Sequence, residues 1–251
     1  MKTISVVCQK GGVGKTTAVI NIASILANKG LKTLIIDTDP QGNVSTYLNQ
    51  EKSNINTTTT TDILDGEQNI IPQKVNENLY LIPSDIDIKK HNSEKIIGGS
   101  KLNKIYKNET INTFDIILID TPPTMSSLVQ EALSISHFYI IPSKSEFLAV
   151  EGVGQAMSFA KQTIAEVPHT NPVFLGVVLN QVDTRRSSYL DFVTELERIL
   201  ADKLFKTHIS QLTEIADSPF YAKTVLDFNE NSKARIEFEE LTKELLEKVG
   251  L

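Results

Sequence analysis

The sequence predicts a doubly wound α/β fold, in which helices cover both faces of a mostly parallel sheet. Apolar runs of strand length alternate with longer segments of helical period, which is the pattern of repeated βα units. Several runs are almost continuous Val, Ile and Leu, as expected for strands buried on both faces. The predicted strands are 3–8, 32–37, 79–83, 114–120, 137–142 and 173–180. The predicted helices are 16–29, 86–107, 125–135, 146–167, 187–203 and 231–249.

The domain organisation is predicted to be simple. The chain has 251 residues, a length that single α/β domains commonly reach, and it shows neither a repeat nor an interdomain linker. We therefore predict one domain over 1–251. The polar stretch 49–61 ends in five threonines and is predicted to be an exposed loop that leads into a short helix at 61–64.

Composition and charge limit the possible classes of protein. No apolar stretch approaches the roughly 18 residues of a membrane span, and the single cysteine, Cys8, fits a reducing cytoplasm. A net charge of −6 gives no global nucleic-acid signature, although a local basic patch depends on distribution as well as on the sum. The exposed face of the last helix is rich in glutamate, which an anionic bilayer would repel, so no membrane partner is predicted.

A glycine-rich loop carries the strongest chemical signal. Residues 9–17 are Gln-Lys-Gly-Gly-Val-Gly-Lys-Thr-Thr, between a predicted strand and a predicted helix. The backbone N–H groups of such a loop converge on phosphate oxygens at the helix N-terminus. In this pattern Lys15 reaches the β- and γ-phosphates and the Thr16 hydroxyl binds Mg²⁺, so ATP and Mg²⁺ are the predicted cofactors. The predicted nucleotide contacts in the loop are Gly11, Gly12, Val13, Gly14, Lys15, Thr16 and Thr17.

Polar side chains follow three other predicted strands, at the sheet edge where ligands bind in open α/β folds. Asp37 ends the second strand and Asp39 lies two residues beyond it, and either could hold a metal-bound water or orient the attacking water. Asp120 follows four apolar residues, which is the Walker B arrangement that supports Mg²⁺. Asn180 ends the last strand, and its amide suits a purine edge. The predicted metal-site residues are Thr16, Asp37 and Asp120.

With these motifs the chain resembles the ParA/MinD class of deviant-Walker P-loop ATPases, and within it the ParA/Soj partition proteins. Gln9 stands where the common loop pattern has glycine, and a second lysine, Lys10, precedes the glycines. The resemblance extends over nearly the whole chain. The matching segments are 10–17, 37–43, 119–123, Pro142 with Glu146-Phe147 and Glu151-Gly152, and 216–219.

The resemblance implies a site that two subunits complete. In this class ATP closes a face-to-face homodimer, and Lys10 would reach the partner's nucleotide. Asp39 would position the hydrolytic water, Asp120 would support Mg²⁺, and Asn180 would contact adenine. The predicted catalytic residues are Lys10, Lys15 and Asp39.

The resemblance also implies DNA as a partner. The ATP dimer would bind nucleoid DNA without sequence preference, and a ParB-like centromere-binding protein would stimulate its hydrolysis. Gln211 and Glu214 stand in a stretch where Soj-like members carry arginines, so fewer cations are present for phosphate contacts. The predicted DNA contacts are Lys206, Lys223, Lys233 and Arg235.

Proteins with other functions would contain the same phosphate-binding loop. A related ATPase could position a protein cargo instead of DNA, and a metabolic ATP-dependent ligase would add a substrate pocket. A MinD-like membrane cycler is disfavoured by the acidic terminal helix. A nitrogenase iron-protein-like enzyme needs two cysteines per subunit to hold its cluster, and Cys8 alone cannot supply them.

Overall fold

The computed structural model describes residues 1–93, 95–96, 99–145, 149–168, 170–185 and 189–251. Its strands form one seven-stranded sheet of order β3-β4-β2-β5-β1-β6-β7, in which β3 alone runs antiparallel to its neighbour. The predicted α/β class with a mostly parallel sheet is confirmed. The strands are β1 Lys2–Val6, β2 Thr33–Asp37, β3 Gln73–Lys74, β4 Leu79–Ile82, β5 Ile116–Asp120, β6 Phe138–Lys144 and β7 Val173–Asn180.

Eight α-helices are present in the described part of the chain, and short 3₁₀ helices connect several of them. No helix in those residues is both long enough and apolar enough to cross a membrane. The α-helices are α1 Lys15–Asn28, α2 Asn43–Tyr47, α3 Thr60–Asp65, α4 Ser127–Ser134, α5 Ala149–Glu166, α6 Tyr189–Leu200, α7 Thr213–Asp217 and α8 Lys233–Val249. The 3₁₀ helices are Ile86–His91, Leu102–Lys107, Ile111–Thr113, Ala201–Lys203, Ser218–Tyr221 and Val225–Asp227.

Alternation along the central strands gives the sheet two apolar faces. Ile35 of β2 and Leu118 of β5 belong to the core beneath α1 and α8. Their neighbours Ile36 and Ile119 belong to the core beneath α3 and α4. Since successive side chains of a strand point to opposite faces, almost continuous apolar strands are what this arrangement requires.

The sheet register brings the polar strand ends together. Val6 of β1 and Asp37 of β2 both lie opposite Asp120 of β5, the central strand of the three. At the other side of β1, Lys144 of β6 lies opposite Asn180 of β7. The carboxyl ends of these strands therefore supply one continuous edge, as expected where an open α/β sheet binds its ligand.

Two predicted segments differ from the structure. The predicted helix 86–107 is instead two 3₁₀ helices, 86–91 and 102–107, and the described residues between them are bends or irregular backbone. The threonine run is not solvated, because Thr58 through Thr61 are buried. The Thr60 hydroxyl donates to the Asp37 carbonyl at 2.6 Å, and the Thr61 hydroxyl donates to Asp85 at 2.7 Å. The first residues of the predicted helices 146–167 and 187–203 lie outside the described residues.

The edge strand β7 is covered by the chain that follows α6. The β6–β7 register skips Leu175, the next residue Gly176 has a φ of +149°, and Val177 bridges to Leu204. A β-carbon at Gly176 would overlap the backbone carbonyl of Lys203. The close approach of the covering segment therefore depends on glycine at this position.

Gly176→Ala is expected to destabilise the fold by roughly 2–4 kcal/mol, because the new methyl group meets backbone in a conformation that alanine rarely adopts. Urea unfolding followed by circular dichroism measures the change. Gly154→Ala in α5 is the matched control, because open space surrounds the position that its methyl group would take. That control should leave stability unchanged or raise it by up to about 1 kcal/mol. Parental stability of Gly176→Ala would contradict the packing of this edge.

Candidate nucleotide-binding site

The loop between β1 and α1 has the backbone geometry of a phosphate cradle. Gly12 and Gly14 have φ of +69° and +87°, in the left-handed region that glycine adopts without strain. Gly14 is also the N-cap of α1, and no side chain caps the helix there. The first N–H groups of α1 therefore point into the loop, where an anion would satisfy them.

Lys15 places a buried cation at the base of this loop. Its side chain is 7% exposed, and Nζ donates to the Cys8 carbonyl at 3.1 Å. Burial lowers the pKa of Lys15, and the nearby Asp120, Cys8 and Asp39 oppose this shift. An ammonium group buried beside carboxylates and helix N–H groups is suited to bind phosphate oxygens.

Thr16 and Asp120 lie together in the part of the candidate site where a metal ion was predicted. The Thr16 hydroxyl donates to Asp120 Oδ2 at 2.7 Å, and Asp120 is fully buried. The other carboxylate oxygen, Oδ1, has no hydrogen-bond partner in the described part of the structure. Burial raises the pKa of Asp120 to about 7, against the lowering effects of the Thr16 bond and Lys15. A hydroxyl beside a buried carboxylate with an unpaired oxygen fits Mg²⁺, which prefers such ligands together with phosphate and water.

Asp37 fixes the loop that carries Asp39. Its Oδ1 accepts the Asp39 N–H at 2.9 Å and its Oδ2 accepts the Val44 N–H at 3.2 Å. Burial and the neighbouring Asp120 raise the pKa of Asp37 well above its ordinary value. Both oxygens of Asp37 therefore bind backbone, whereas Asp120 keeps one oxygen for another ligand. Asp39 is 6% exposed and lies at this same edge, where its Oδ1 accepts the Gln41 N–H at 2.9 Å.

Two side-chain amides after β7 hold the opposite wall of the loop. Asn180 Nδ2 donates to the Val13 carbonyl at 2.7 Å, and Gln181 Nε2 donates to the Gly12 carbonyl at 3.0 Å. Gln181 has a φ of +54°, so the chain turns sharply there. The sequence prediction included Asn180 but missed Gln181, although both amides stand at the same strand end.

A cavity of about 200 Å³ adjoins the loop beyond Asn180. Gly14 and Thr17 form its phosphate-loop side, and Leu212, Ile215 and Pro219 supply apolar surface opposite. An apolar slot beside side-chain amides suits a purine base, which needs both stacking surface and hydrogen bonds. Sequence reasoning missed these apolar residues, because α7 is short and lacks a helical apolar pattern.

Lys10 lies in the outer part of the loop. It is half-buried, and the adjoining Gln9 and Gly11 are exposed. This part of the loop therefore reaches the molecular surface, whereas Lys15 lies beneath it. The two lysines of the loop thus occupy different environments.

Ion pairs engage two of the predicted DNA contacts. The Arg235 side chain is 18% exposed and lies 3.0 Å from Glu239 and 3.9 Å from Glu230. Lys233 Nζ lies 3.6 Å from Glu237, which also accepts two hydrogen bonds from Ser210. Much of the positive charge at the N-terminal end of α8 is therefore balanced by carboxylates.

The other two predicted DNA contacts are Lys206 and Lys223, of which Lys206 lies far from Lys233. The Lys206 backbone N–H donates to Glu244 Oε1 at 2.9 Å, near the C-terminal end of α8. At a helical rise of ~1.5 Å per residue, Glu244 is roughly 16 Å from Lys233 along the helix axis. Lys223 lies 6.0 Å from the centroid of the exposed Tyr221 ring. Lys206 and Lys233 therefore mark opposite ends of α8 instead of one compact basic patch.

The fold and this site define a P-loop nucleotide-binding domain whose loop contains a second lysine. A family model described as an AAA domain matches residues 1–172. The chain belongs to that family, and within it to the ParA/MinD type.

Relatives of this type match almost the whole chain. The sporulation initiation inhibitor protein Soj of Bacillus subtilis is 29% identical, with 97% of this chain and 98% of Soj covered. The chromosome partitioning protein ParA of Caulobacter vibrioides is 32% identical, with 90% of this chain and 86% of ParA covered. A solved structure of a candidate plasmid partition protein from Borrelia burgdorferi B31, bound to AMPPNP, is 25% identical. It covers 98% of this chain and 99% of its own, with a TM-score of 0.76.

The fold is shared more widely than the partition proteins. Cobyrinic acid a,c-diamide synthase from Mycobacterium smegmatis, with bound ADP and magnesium, superposes with a TM-score of 0.80 at 23% identity. It covers 100% of this chain and 96% of its own, and at this identity the likeness concerns the fold alone. The prediction of ATP and Mg²⁺ as cofactors agrees with the ligands of these structures.

The matching pair Glu146-Phe147 lies outside the described residues.

Asp120→Asn is expected to stabilise the protein in the absence of nucleotide and Mg²⁺. Between pH 3.8 and about 7, the folded state binds more protons at Asp120 than the unfolded state does. The parent therefore loses stability as the pH rises through this window, and the neutral variant does not. We expect a gain on the order of a few kcal/mol at pH 8 that shrinks towards pH 4.

Urea unfolding of both proteins at several pH values measures this gain. Asp202→Asn is the control, because the Asp202 side chain is 84% exposed and its charge remains solvated. A variant no more stable than the parent at pH 8 would show that the Asp120 charge is not costly.

Proposed function

We propose that the chain is a Mg-ATP-dependent ATPase that forms a homodimer when it binds ATP. The dimer binds nucleoid DNA without sequence preference and drives partitioning of a plasmid or chromosome together with a ParB-like partner. The names of the relatives support the partitioning role, and the two-lysine loop supports the ATP-driven dimer.

The single observation that carries this proposal is the arrangement of Lys15, Thr16 and Asp120 beneath the glycine loop. A buried ammonium, a hydroxyl and a carboxylate with an unpaired oxygen lie at one helix N-terminus. Such a set matches the charges of a nucleoside triphosphate with its magnesium ion. Bound Mg²⁺ supplies positive charge that screens the phosphate oxygens during hydrolysis.

Different residues of the chain bind the phosphates, hold the metal ion and orient the attacking water. Lys15 and the α1 N–H groups bind the β- and γ-phosphates, while Thr16 and Asp120 hold the metal ion. Asp39 orients the water that attacks the γ-phosphorus; the bond to the β–γ bridging oxygen breaks, giving ADP and phosphate. The bonds from Asp37 to the Asp39 and Val44 N–H groups keep the Asp39 loop against this edge.

The position of Lys10 supports a second subunit as part of the site. Lys15 already supplies a buried cation in its own subunit, and Lys10 lies nearer the surface. A lysine on the outer loop adds charge at the partner's phosphates, as an arginine finger does in other nucleotide hydrolases. ATP hydrolysis would then depend on dimerisation.

A pair of lysine variants tests the proposed division of roles. Lys15→Ala is expected to weaken ATP binding by roughly 100-fold, because a buried cation is lost from the phosphates. Lys10→Ala should leave ATP binding by the monomer within about threefold of the parent and abolish the ATP-induced dimer and its hydrolysis. Titration with a fluorescent ATP analogue measures binding, and size-exclusion chromatography with light scattering measures dimerisation. Parental ATP affinity of Lys15→Ala would refute the phosphate site.

Asp39→Ala tests the orientation of the attacking water. The variant should bind ATP as the parent does, because Lys15, Thr16 and Asp120 are unchanged. Phosphate release should fall by roughly 100-fold, and the ATP-bound dimer should accumulate. Asp115→Ala is the control, since this exposed aspartate immediately precedes β5, at the opposite end of the strand from Asp120. Turnover at the parental rate in Asp39→Ala would remove Asp39 from the mechanism.

A further inference from the structure

A local excess of positive charge lies outside the nucleotide site. The segment 86–107 contains six lysines and only two carboxylates, Asp87 and Glu94, in a chain whose net charge is −6. All six lysines are exposed. The six are Lys89, Lys90, Lys95, Lys101, Lys104 and Lys107.

The 3₁₀ geometry places three of these lysines in one row. Residues three apart lie directly above one another in a 3₁₀ helix, with a rise of about 2 Å per residue. Lys101, the N-cap of the helix Leu102–Lys107, therefore aligns with Lys104 and Lys107 over roughly 12 Å. Leu102 and Ile105 are fully buried and fix this helix to the core beneath α4. In an α-helix the three lysines would spread around the axis.

Contacts around the end of α3 join this row to Lys90. Lys90 Nζ lies 2.5 Å from Asp65, and a β-carbon at the next residue, Gly66, would lie 3.6 Å from Lys104 Nζ. His91 bonds to Asp65 at 2.8 Å on one side and lies 3.5 Å from Lys101 Nζ on the other. These contacts join Lys90 to the row, and Lys90, Lys101, Lys104 and Lys107 are together called the lysine surface.

The cations of this surface are accessible to a large anion. The Lys90–Asp65 pair is half exposed on both sides, so it is weak and phosphate can compete for it. No ion pair engages Lys104 or Lys107 within the part of the chain that the structure describes. These two lysines line a groove of about 660 Å³ together with the amides of Gln68, Asn69 and Asn108. Glu109 is the one carboxylate among the described residues of that groove.

We propose that the lysine surface binds the phosphate backbone of duplex DNA without sequence preference. The proposal rests on the proposed function, which requires such a contact, and it moves the contact away from the ion-paired end of α8. Lysines interleaved with amide side chains are the usual donors to phosphate oxygens.

The composition of the surface favours a duplex over other polyanions. Single strands are bound by exposed aromatic rings on which bases stack, but the aromatic residue of this helix, Tyr106, is half-buried and donates to the Ile135 carbonyl. A bilayer is bound by an amphipathic helix that inserts apolar side chains, whereas Leu102 and Ile105 point into the core.

Two triple variants of the full chain test the proposal. Lys101→Gln/Lys104→Gln/Lys107→Gln removes the row, and Lys206→Gln/Lys223→Gln/Lys233→Gln removes equal charge from the C-terminal third. Binding to a random-sequence duplex is measured by fluorescence anisotropy with ATP, with ADP and without nucleotide, across a salt series. The row variant should bind DNA at least roughly tenfold more weakly, and its salt slope should fall by about 3. The control variant should stay within about threefold of the parent. Both variants should keep the parental melting temperature and ATPase activity.

Each other outcome points to a different explanation. Parental DNA affinity of the row variant, with a loss in the control variant, would overturn the lysine surface and leave the proposed function intact. Absence of duplex binding by the parent at low salt, with ATP hydrolysis and dimerisation retained, would overturn the DNA role in the proposed function. Binding of the parent to phosphatidylserine vesicles but not to DNA, lost in the row variant, would assign the surface to a membrane and overturn the proposal.

Discussion

The structure of the site depends on two carboxylates buried side by side. The register of β2 and β5 places Asp37 opposite Asp120, and both are fully buried. Burial raises the pKa of both carboxyl groups, and the neighbouring charge of Asp120 adds to the shift at Asp37. The surrounding chain reduces the cost with the Thr16 hydroxyl, the Lys15 ammonium and two backbone N–H groups. The negative charge of the two carboxylates that these groups do not offset favours binding of a divalent cation. Without a cation, this buried charge makes the fold less stable than its packing alone would make it.

The same pair connects the two ends of the nucleotide site. Asp37 accepts the N–H of Val44 in α2, and the α2 residue Tyr47 shares a buried 2.5 Å hydrogen bond with Ser218. Ser218 precedes Pro219, which lines the apolar cavity beyond Asn180. The short helix α2 therefore contacts both the carboxylate end and the apolar end of the site.

The sequence predicted the elements whose residue pattern fits a single kind of structure. Its predictions were wrong where the burial of a segment depends on contacts with distant parts of the chain. The central strands and the glycine loop follow from continuous apolar runs and from left-handed positions that only glycine fits. The threonines of 57–61 look solvated in sequence, but their hydroxyls bond to groups brought close by the fold, such as the Asp37 carbonyl. The spacing of Ile88, Leu102 and Ile105 permits either helix type, so it could not separate an α-helix from two 3₁₀ turns. The ion pair Arg235–Glu239 could have been predicted from the sequence, because the two residues are four apart in a predicted helix.

Glutamate side chains accept backbone N–H groups both from the segment that follows β7 and from the lysine surface. Glu237 and Glu244 of α8 accept hydrogen bonds from backbone N–H groups of the chain that follows β7, at Ser210 and Lys206. The lysine surface is instead held by α4, whose buried Glu131 accepts the N–H groups of Lys101 and Leu102 at 3.1 and 3.0 Å. The α4 helix begins seven residues after Asp120. Only residues 121–126 therefore separate the residue proposed to hold the metal ion from the helix that anchors the lysine surface. This connection is a short covalent link between the residue proposed to hold the metal ion and the proposed DNA contact, and it does not include the C-terminal helix.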